Sequence, residues 1–128
     1  MALNEIEVIT LLADDIAATK AFYHRVFKAE SLFADAVSEV LRFGGLIVNL
    51  LQATQGPELV TPIPVAPAVA GVRMMLTIKV ENVDATCAEL EGLGVALLNG
   101  PIDRPWGRRT AAFADPAGHV WEVAQEIG

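Results

Sequence analysis

The sequence predicts an α+β protein built from two tandem βαβββ modules, and three observations carry that expectation. The run Ile9–Ala21 returns as Leu76–Ala88, so that Thr10 matches Thr77 and Ala18 matches Ala85 at an offset of 67 residues (77 − 10). The run Gly45–Gln52 returns as Gly118–Gln125 at an offset of 73 (118 − 45). Between the copies, residues 56–71 hold Pro57, Pro62, Pro64 and Pro67, a stretch that can neither continue a helix nor donate regularly to a sheet. A repeat of this kind fixes architecture before single residues are weighed. It pairs Val8 with Met75 and Asn49 with Glu122, and predicts that these positions face each other around a shared cleft.

Each element follows from local chemistry. Glu5–Leu12 is short and rich in Ile, Val, Thr and Leu, which reads as a strand. Asp14 and Asp15 then offer side-chain acceptors to the unpaired N–H groups of a helix start. Ile16, Thr19, Tyr23 and Val26 recur at helical spacing beside Phe22, marking a helix of about three turns with one buried face. From Ala29 to Gln52 three strands are expected, broken near Asp35-Ala36 and at Gly44-Gly45. The second copy repeats the order: a strand over Arg73–Val80, a cap from Glu81 or Asn82, and a helical stripe of Val83, Cys87, Leu90 and Thr86. Gly92 and Gly94 are expected to end that helix. Strands over about Val95–Leu98, Arg108–Ala114 and Gly118–Glu126 follow, the last two joined by the turn Asp115-Pro116-Ala117-Gly118.

At 128 residues the chain has ordinary single-domain size, so the modules are expected to share one core. Module one covers about 1–55, the linker 56–71 and module two 72–128. Hydrophobic residues make up 53% of the chain, yet no run of about 18 apolar residues occurs, so no membrane span is expected. The start, Met1-Ala2-Leu3-Asn4-Glu5, lacks a basic region ahead of an apolar stretch, so no secretory signal is expected. A single cysteine, Cys87, excludes an intramolecular disulfide and fits a reducing cytoplasm. Its place on the helical stripe reads as a small core residue rather than a nucleophile. A net charge of −7 opposes the phosphate-neutralising surface that nucleic-acid binding needs, and its field favours cationic ligands.

The Asp14-Asp15-Ile16 helix start running to Phe22-Tyr23, and the ending Trp106-Gly107-Arg108 through Phe113-Ala114-Asp115-Pro116-Ala117-Gly118-His119-Val120-Trp121-Glu122, together with the repeated unit, carry a resemblance over nearly the whole chain. The sequence resembles the glyoxalase / bleomycin resistance / extradiol dioxygenase superfamily, the vicinal oxygen chelate fold. The resemblance implies a curved mixed sheet around an open cleft with helices on the outer faces, and commonly a homodimer. It also implies a metal-ligand pattern of His, Glu, His and Glu on strands one, four, five and eight. Here those positions fall on Val8, Asn49, Met75 and Glu122, and of these only Glu122 is a strong ligand. No metal ligand set is therefore assigned and no cofactor is expected, a divalent metal being the alternative.

If Val8 faces the cleft, strand alternation brings Thr10 and Leu12 with it, Ile47 and Leu51 with Asn49, Thr77 and Lys79 with Met75, and Val120 and Ala124 with Glu122. That lining is mostly apolar with a few polar groups, the composition of a small-molecule site. Trp106, able to stack on a planar ligand, and Arg109, able to fork onto an anion, join the candidate ligand contacts. Arg104 and Arg108 read instead as loop residues paired with surface acids. The leading expectation is a cytoplasmic, metal-free protein that binds a small organic ligand, resembling antibiotic-sequestering members of the superfamily. The alternative is a lyase or isomerase acting on a small carbonyl compound, with Glu122 as acid/base or as sole retained metal ligand; a metal-dependent dioxygenase is not expected.

Overall fold

The computed structural model describes residues 3–128; Met1 and Ala2, where the expected first module begins, lie outside the described residues. Two compact units emerge, one ending at Ala70 and one covering Gly71–Gly128, so the boundary falls at the end of the proline-rich stretch. In the first unit β1 (Val8–Ala13), α1 (Ile16–Val26), β2 (Ser31–Ala34), β3 (Ser38–Phe43) and β4 (Leu46–Gln52) follow in order. The second repeats them after α2 (Pro57–Val60), a single helical turn, as β5 (Met75–Lys79), α3 (Val83–Gly92), β6 (Leu97–Arg104), β7 (Arg108–Ala114) and β8 (Val120–Glu126). The sheets run β1-β4-β3-β2 and β5-β8-β7-β6, so each is a four-stranded mixed sheet of the expected βαβββ topology. In each, the first and last strands pair in parallel and the remaining pairs are antiparallel.

The repeat extends to atoms at each corner between strand and helix. Asp15 Oδ1 accepts from the Ala18 N–H at 3.1 Å, and Asn82 Oδ1 accepts from the Ala85 N–H at 3.0 Å, so Asp15 and Asn82 are the caps. Thr19 and Thr86 each return a hydroxyl to the cap residue's carbonyl, at 2.9 Å in both units. The final residue of β4 and its counterpart in β8 brace the same corner from across the sheet. Gln52 Nε2 donates to the Asp14 carbonyl at 2.7 Å, and Gln125 Oε1 accepts from the Val83 N–H at 2.8 Å.

One face of each sheet carries its helix. In the first unit Leu11, Leu41, Val48 and Leu50 are buried with Phe22 and Tyr23 of α1. Tyr23 stacks on Phe27 with ring centroids 5.0 Å apart, and Phe27 meets Phe43 edge-on at 5.3 Å. His24 of α1 reaches Glu39 of β3, with Nε2 at 2.8 and 2.9 Å from the two carboxylate oxygens, so this buried acid is partnered. In the second unit Val83, Cys87 and Leu90 of α3 pack with Ala111, Phe113, Trp121 and Val123. Burial pushes the Cys87 thiol pKa up, with Asp84 and Glu91 adding to the shift, which disfavours the thiolate and fits a packing role.

Two departures from the sequence expectation have clear causes. Gly92 is the last helical residue of α3 and Gly94 alone takes the left-handed backbone, at φ 82°; in the first unit the corresponding stop is Lys28, at φ 52°. The sixth strand does not end at Leu98. It continues to Arg104 because Gly100, at φ 86°, absorbs a bulge, and because β6 is an edge strand on which Pro101 is tolerated.

Gly100 is locked by space as well as by dihedral angle: a Cβ there would press on the Thr110 carbonyl and lie 2.7 Å from the Ala111 Cα. Gly94 also has positive φ, but nothing stands within 4 Å of its would-be Cβ. Gly100→Ala is expected to destabilise by about 3 kcal/mol or more, backbone strain and overpacking acting together. Gly94→Ala should lose only about 1 kcal/mol. Thermal unfolding of the two variants checks this ordering; equal losses would remove the role given to the β6–β7 contact.

Candidate functional site

The helix contacts determine which residues face the other way. Glu39 meets α1, so its row, Leu11–Leu50–Glu39–Ala34, lies on the helix face of the first sheet. The alternate rows, Val8–Ile47–Arg42, Thr10–Asn49–Val40–Phe33 and Leu12–Leu51–Ser38, lie on its opposite face. Val8, Thr10, Ile47, Asn49 and Leu51 therefore share one surface. Val8 is 41% exposed and Phe33 56% exposed, whereas Leu51 is buried. The end row is covered from within the unit: a Cβ on Gly56 would lie 3.0 Å from both Leu12 Cδ1 and Val65 Cγ2, so the proline-rich segment packs over Leu12. Asn49 Oδ1 is buried and has no hydrogen-bond partner among the described residues.

In the second unit Arg109 bonds to Asp84 of α3, which fixes its row, Asp103–Arg109–Gln125, on the helix face. Four rows face the other way: Met75–Val120–Ala114, Thr77–Glu122–Ala112–Asn99, Lys79–Ala124–Thr110–Ile102, and Glu126–Arg108–Arg104. Met75, Thr77 and Glu122 are thus together, and Thr77 Oγ1 donates to Glu122 Oε1 at 3.1 Å. Across the same face Arg104 Nε donates to Thr110 Oγ1 at 2.9 Å and its Nη2 to Asn99 Oδ1 at 3.1 Å. Arg108 pairs with Glu126 at 2.8 Å, as expected for a residue neutralised by a surface acid.

Two expected ligand contacts stand apart from these surfaces. Arg109 lies on the helix side, where its Nη1 reaches Asp103 at 2.8 Å and its Nη2 reaches Asp84 at 3.0 Å. The bonds to Asp103 and then Asp84 raise its pKa, and they tie α3 to β6. Trp106 sits in the turn between β6 and β7, 67% exposed, where it neither anchors the loop nor lines a sheet face. It is thus Arg109, not Arg104, that pairs with surface acids, and Arg104 that shares a face with Glu122. Once Pro101 is accepted within an edge strand, counting back from Arg108 places Arg104 opposite it and on the Glu122 face. Phe33 and Asn99 were also missed, because their faces depend on strand pairing across bulges; Val40 and Thr110 lie in regular ladders and show their place only once β3 is paired with Asn49 and β7 with Ala124.

Both imidazoles are engaged elsewhere. His24 holds Glu39 on the helix side, and His119 Nδ1 lies 2.8 Å from Asp115 Oδ2 in the β7–β8 turn, where Asp115 Oδ1 also accepts from the Ala117 and His119 N–H groups. Among the described residues no group of three His, Cys, Asp or Glu side chains is placed to hold a metal ion. Val8 and Met75 bring no nitrogen or carboxylate, so the donor set does not fit a three-ligand divalent centre. A depression of about 460 Å³ lies at the ends of β5 and β8, lined by Lys79, Val80, Glu81, Gln125 and Glu126, and takes in neither Glu122 nor Thr77.

Solved structures share this architecture. A glyoxalase/bleomycin resistance protein/dioxygenase from Nocardioides aligns with a TM-score of 0.86 at 22% identity, over 99% of this chain and 86% of that one. A glyoxalase-related enzyme from Fulvimarina pelagi aligns at 0.84 and 25%, over 97% and 89%. TnmS3, an antibiotic binding protein from Streptomyces sp. CB03234, aligns at 0.73 and 26%, over 98% of both chains. No curated protein sequence matches the chain significantly. Its own sequence nonetheless matches a family model over residues 5–123, and the chain belongs to the Glyoxalase/Bleomycin resistance protein/Dioxygenase superfamily.

Proposed function

We propose that this protein binds a small organic molecule on a helix-free sheet face and acts by holding it, without a resident metal. The observation that carries the reading is Asn49 Oδ1, a buried acceptor with no partner among the described residues. Native proteins leave few such atoms, and a ligand N–H or O–H would satisfy this one. The row that presents it, Thr10–Asn49–Val40–Phe33, has apolar surface beside polar groups, with Phe33 exposed. The likeness to the antibiotic binding protein TnmS3, at 26% identity over 98% of both chains, supports the binding of a small molecule. A cytoplasmic setting and a homodimeric state belong to the same proposal; the first rests on a single buried, unpaired cysteine. No helix among the described residues is long and apolar enough to cross a membrane.

A second reading has one observation in its favour. Thr77 orients Glu122 through Oε1 and leaves Oε2 without a partner among the described residues, the geometry of a carboxylate available as acid or base. On this reading the protein is a lyase or isomerase acting on a small carbonyl compound.

Calorimetric titration with glycopeptide and planar aromatic antibiotics tests the first reading, and saturable binding by at least one is expected; none by any would remove sequestration. Asn49→Leu removes the orphaned acceptor while keeping the branched shape of the side chain, so it should leave the unliganded melting temperature unchanged or raised while weakening the bound antibiotic tenfold or more. A large loss of stability without loss of affinity would mean that Asn49 serves the fold. Elemental analysis after metal-free purification is expected to find no stoichiometric Ni, Zn, Mn or Fe. If a carbonyl substrate is turned over, Glu122→Gln should abolish the activity; an unchanged rate would end the second reading.

A further inference from the structure

The helix-free face of the second sheet holds a guanidinium that pairs with no acid among the described residues. Arg42 pairs with Glu30, Arg108 with Glu126, and Arg109 with Asp84 and Asp103. Arg104 has no carboxylate partner among the described residues; its bonds go to the neutral oxygens of Thr110 and Asn99. Those two bonds use two of the five N–H groups of the fork and leave three, while fixing its orientation against the sheet. In a chain of net charge −7, an arginine that is half-buried yet held only by neutral acceptors stands out.

We infer that Arg104, braced by Asn99 and Thr110, is an oxyanion-binding site, and that the ligand of this face carries a carboxylate or phosphonate-type group. A guanidinium fork matches the oxygen spacing of either group and keeps its charge at every physiological pH. Bracing removes in advance much of the rotamer freedom that binding would otherwise cost. Glu122 supplies the complement. It stands in the row of Asn99, separated from it by Ala112 alone, and it has no cationic partner among the described residues. The β6 and β8 backbones are two strand spacings apart, roughly 10 Å, and side-chain reach narrows that to about the width of one aromatic ring. The ligand class that fits is therefore a small zwitterion or hydroxy-acid whose oxyanion and donor lie across such a body. This inference rests on the small-molecule reading above and narrows it.

Four probes of one size separate the possibilities: benzamide, benzoate, phenylphosphonate and 4-(aminomethyl)benzoate, followed by ¹H–¹⁵N NMR that includes the arginine Nε–H signals. The oxyanions should bind at least tenfold more tightly than benzamide and shift the Arg104 Nε–H resonance. The better of benzoate and phenylphosphonate names the planar or tetrahedral group, and the aminomethyl arm should add a further gain that Glu122→Gln removes. Arg104→Gln, checked for an unchanged melting temperature, should reduce oxyanion binding to the level of benzamide. If that variant unfolds, the wild-type Arg104 resonance decides alone. Oxyanions bound no more tightly than benzamide, or an unmoved Nε–H signal, would overturn the site while leaving small-molecule binding intact. No binding by any of the four would also overturn the site, whereas the antibiotic titration decides small-molecule binding separately.

Discussion

The parallel pairing of the outer strand with the last strand in each unit is the constraint on which the rest depends. It sets Thr10 beside Asn49 and Thr77 beside Glu122, and because side chains alternate along a strand, a slip of one residue would send each set to the wrong face. A capped helix that spans the crossover holds the register in place. Asp15 and Asn82 fix where the helices start, and Gln52 and Gln125 tie the end of the neighbouring strand back to the same corner. The hydrophobic contact of helix and sheet then supplies the stabilisation that leaves the opposite face free to carry other chemistry.

Much of this was legible in the sequence because it is local. Caps, helical stripes and turn residues sit within a few positions of one another, and the repeat reported each of them twice. The faces of Val8, Thr10, Ile47, Asn49 and Leu51, and of Met75, Thr77 and Glu122, followed from counting by twos along unbroken strands. What failed was counting across irregularities. Gly100-Pro101 looks like the end of a strand, yet at a sheet edge it is a bulge within one, and the error moved Arg104 from a strand to a loop. Arg109 was misread for a related reason: its neighbour Arg108 points the opposite way, and only the ion pair with Asp84 on α3 reveals which is which. The orphaned oxygen of Asn49 depends on three-dimensional burial and has no sequence signature.

The two copies have also diverged on their helix sides. The first unit buries a carboxylate against an imidazole where the second buries Ala111 and Phe113, and the first stops its helix with Lys28 where the second uses Gly94. These differences lie away from the rows that carry Asn49 and Glu122. The second unit adds a tightly organised turn, in which Asp115 gathers two backbone N–H groups and the His119 ring, and that turn delivers the chain into β8 three residues ahead of Glu122.

Val8 and Met75 are 41% and 49% exposed, so neither belongs to the packed interior of its unit. Side chains so placed contribute little to folding, and they can be exchanged without disturbing the capped corner or the helix-bearing face. In evolutionary terms, this makes the repeat-paired ends of β1 and β5 easy to rewrite without changing the fold. The scaffold keeps its shape by one set of residues and can change its chemistry by another.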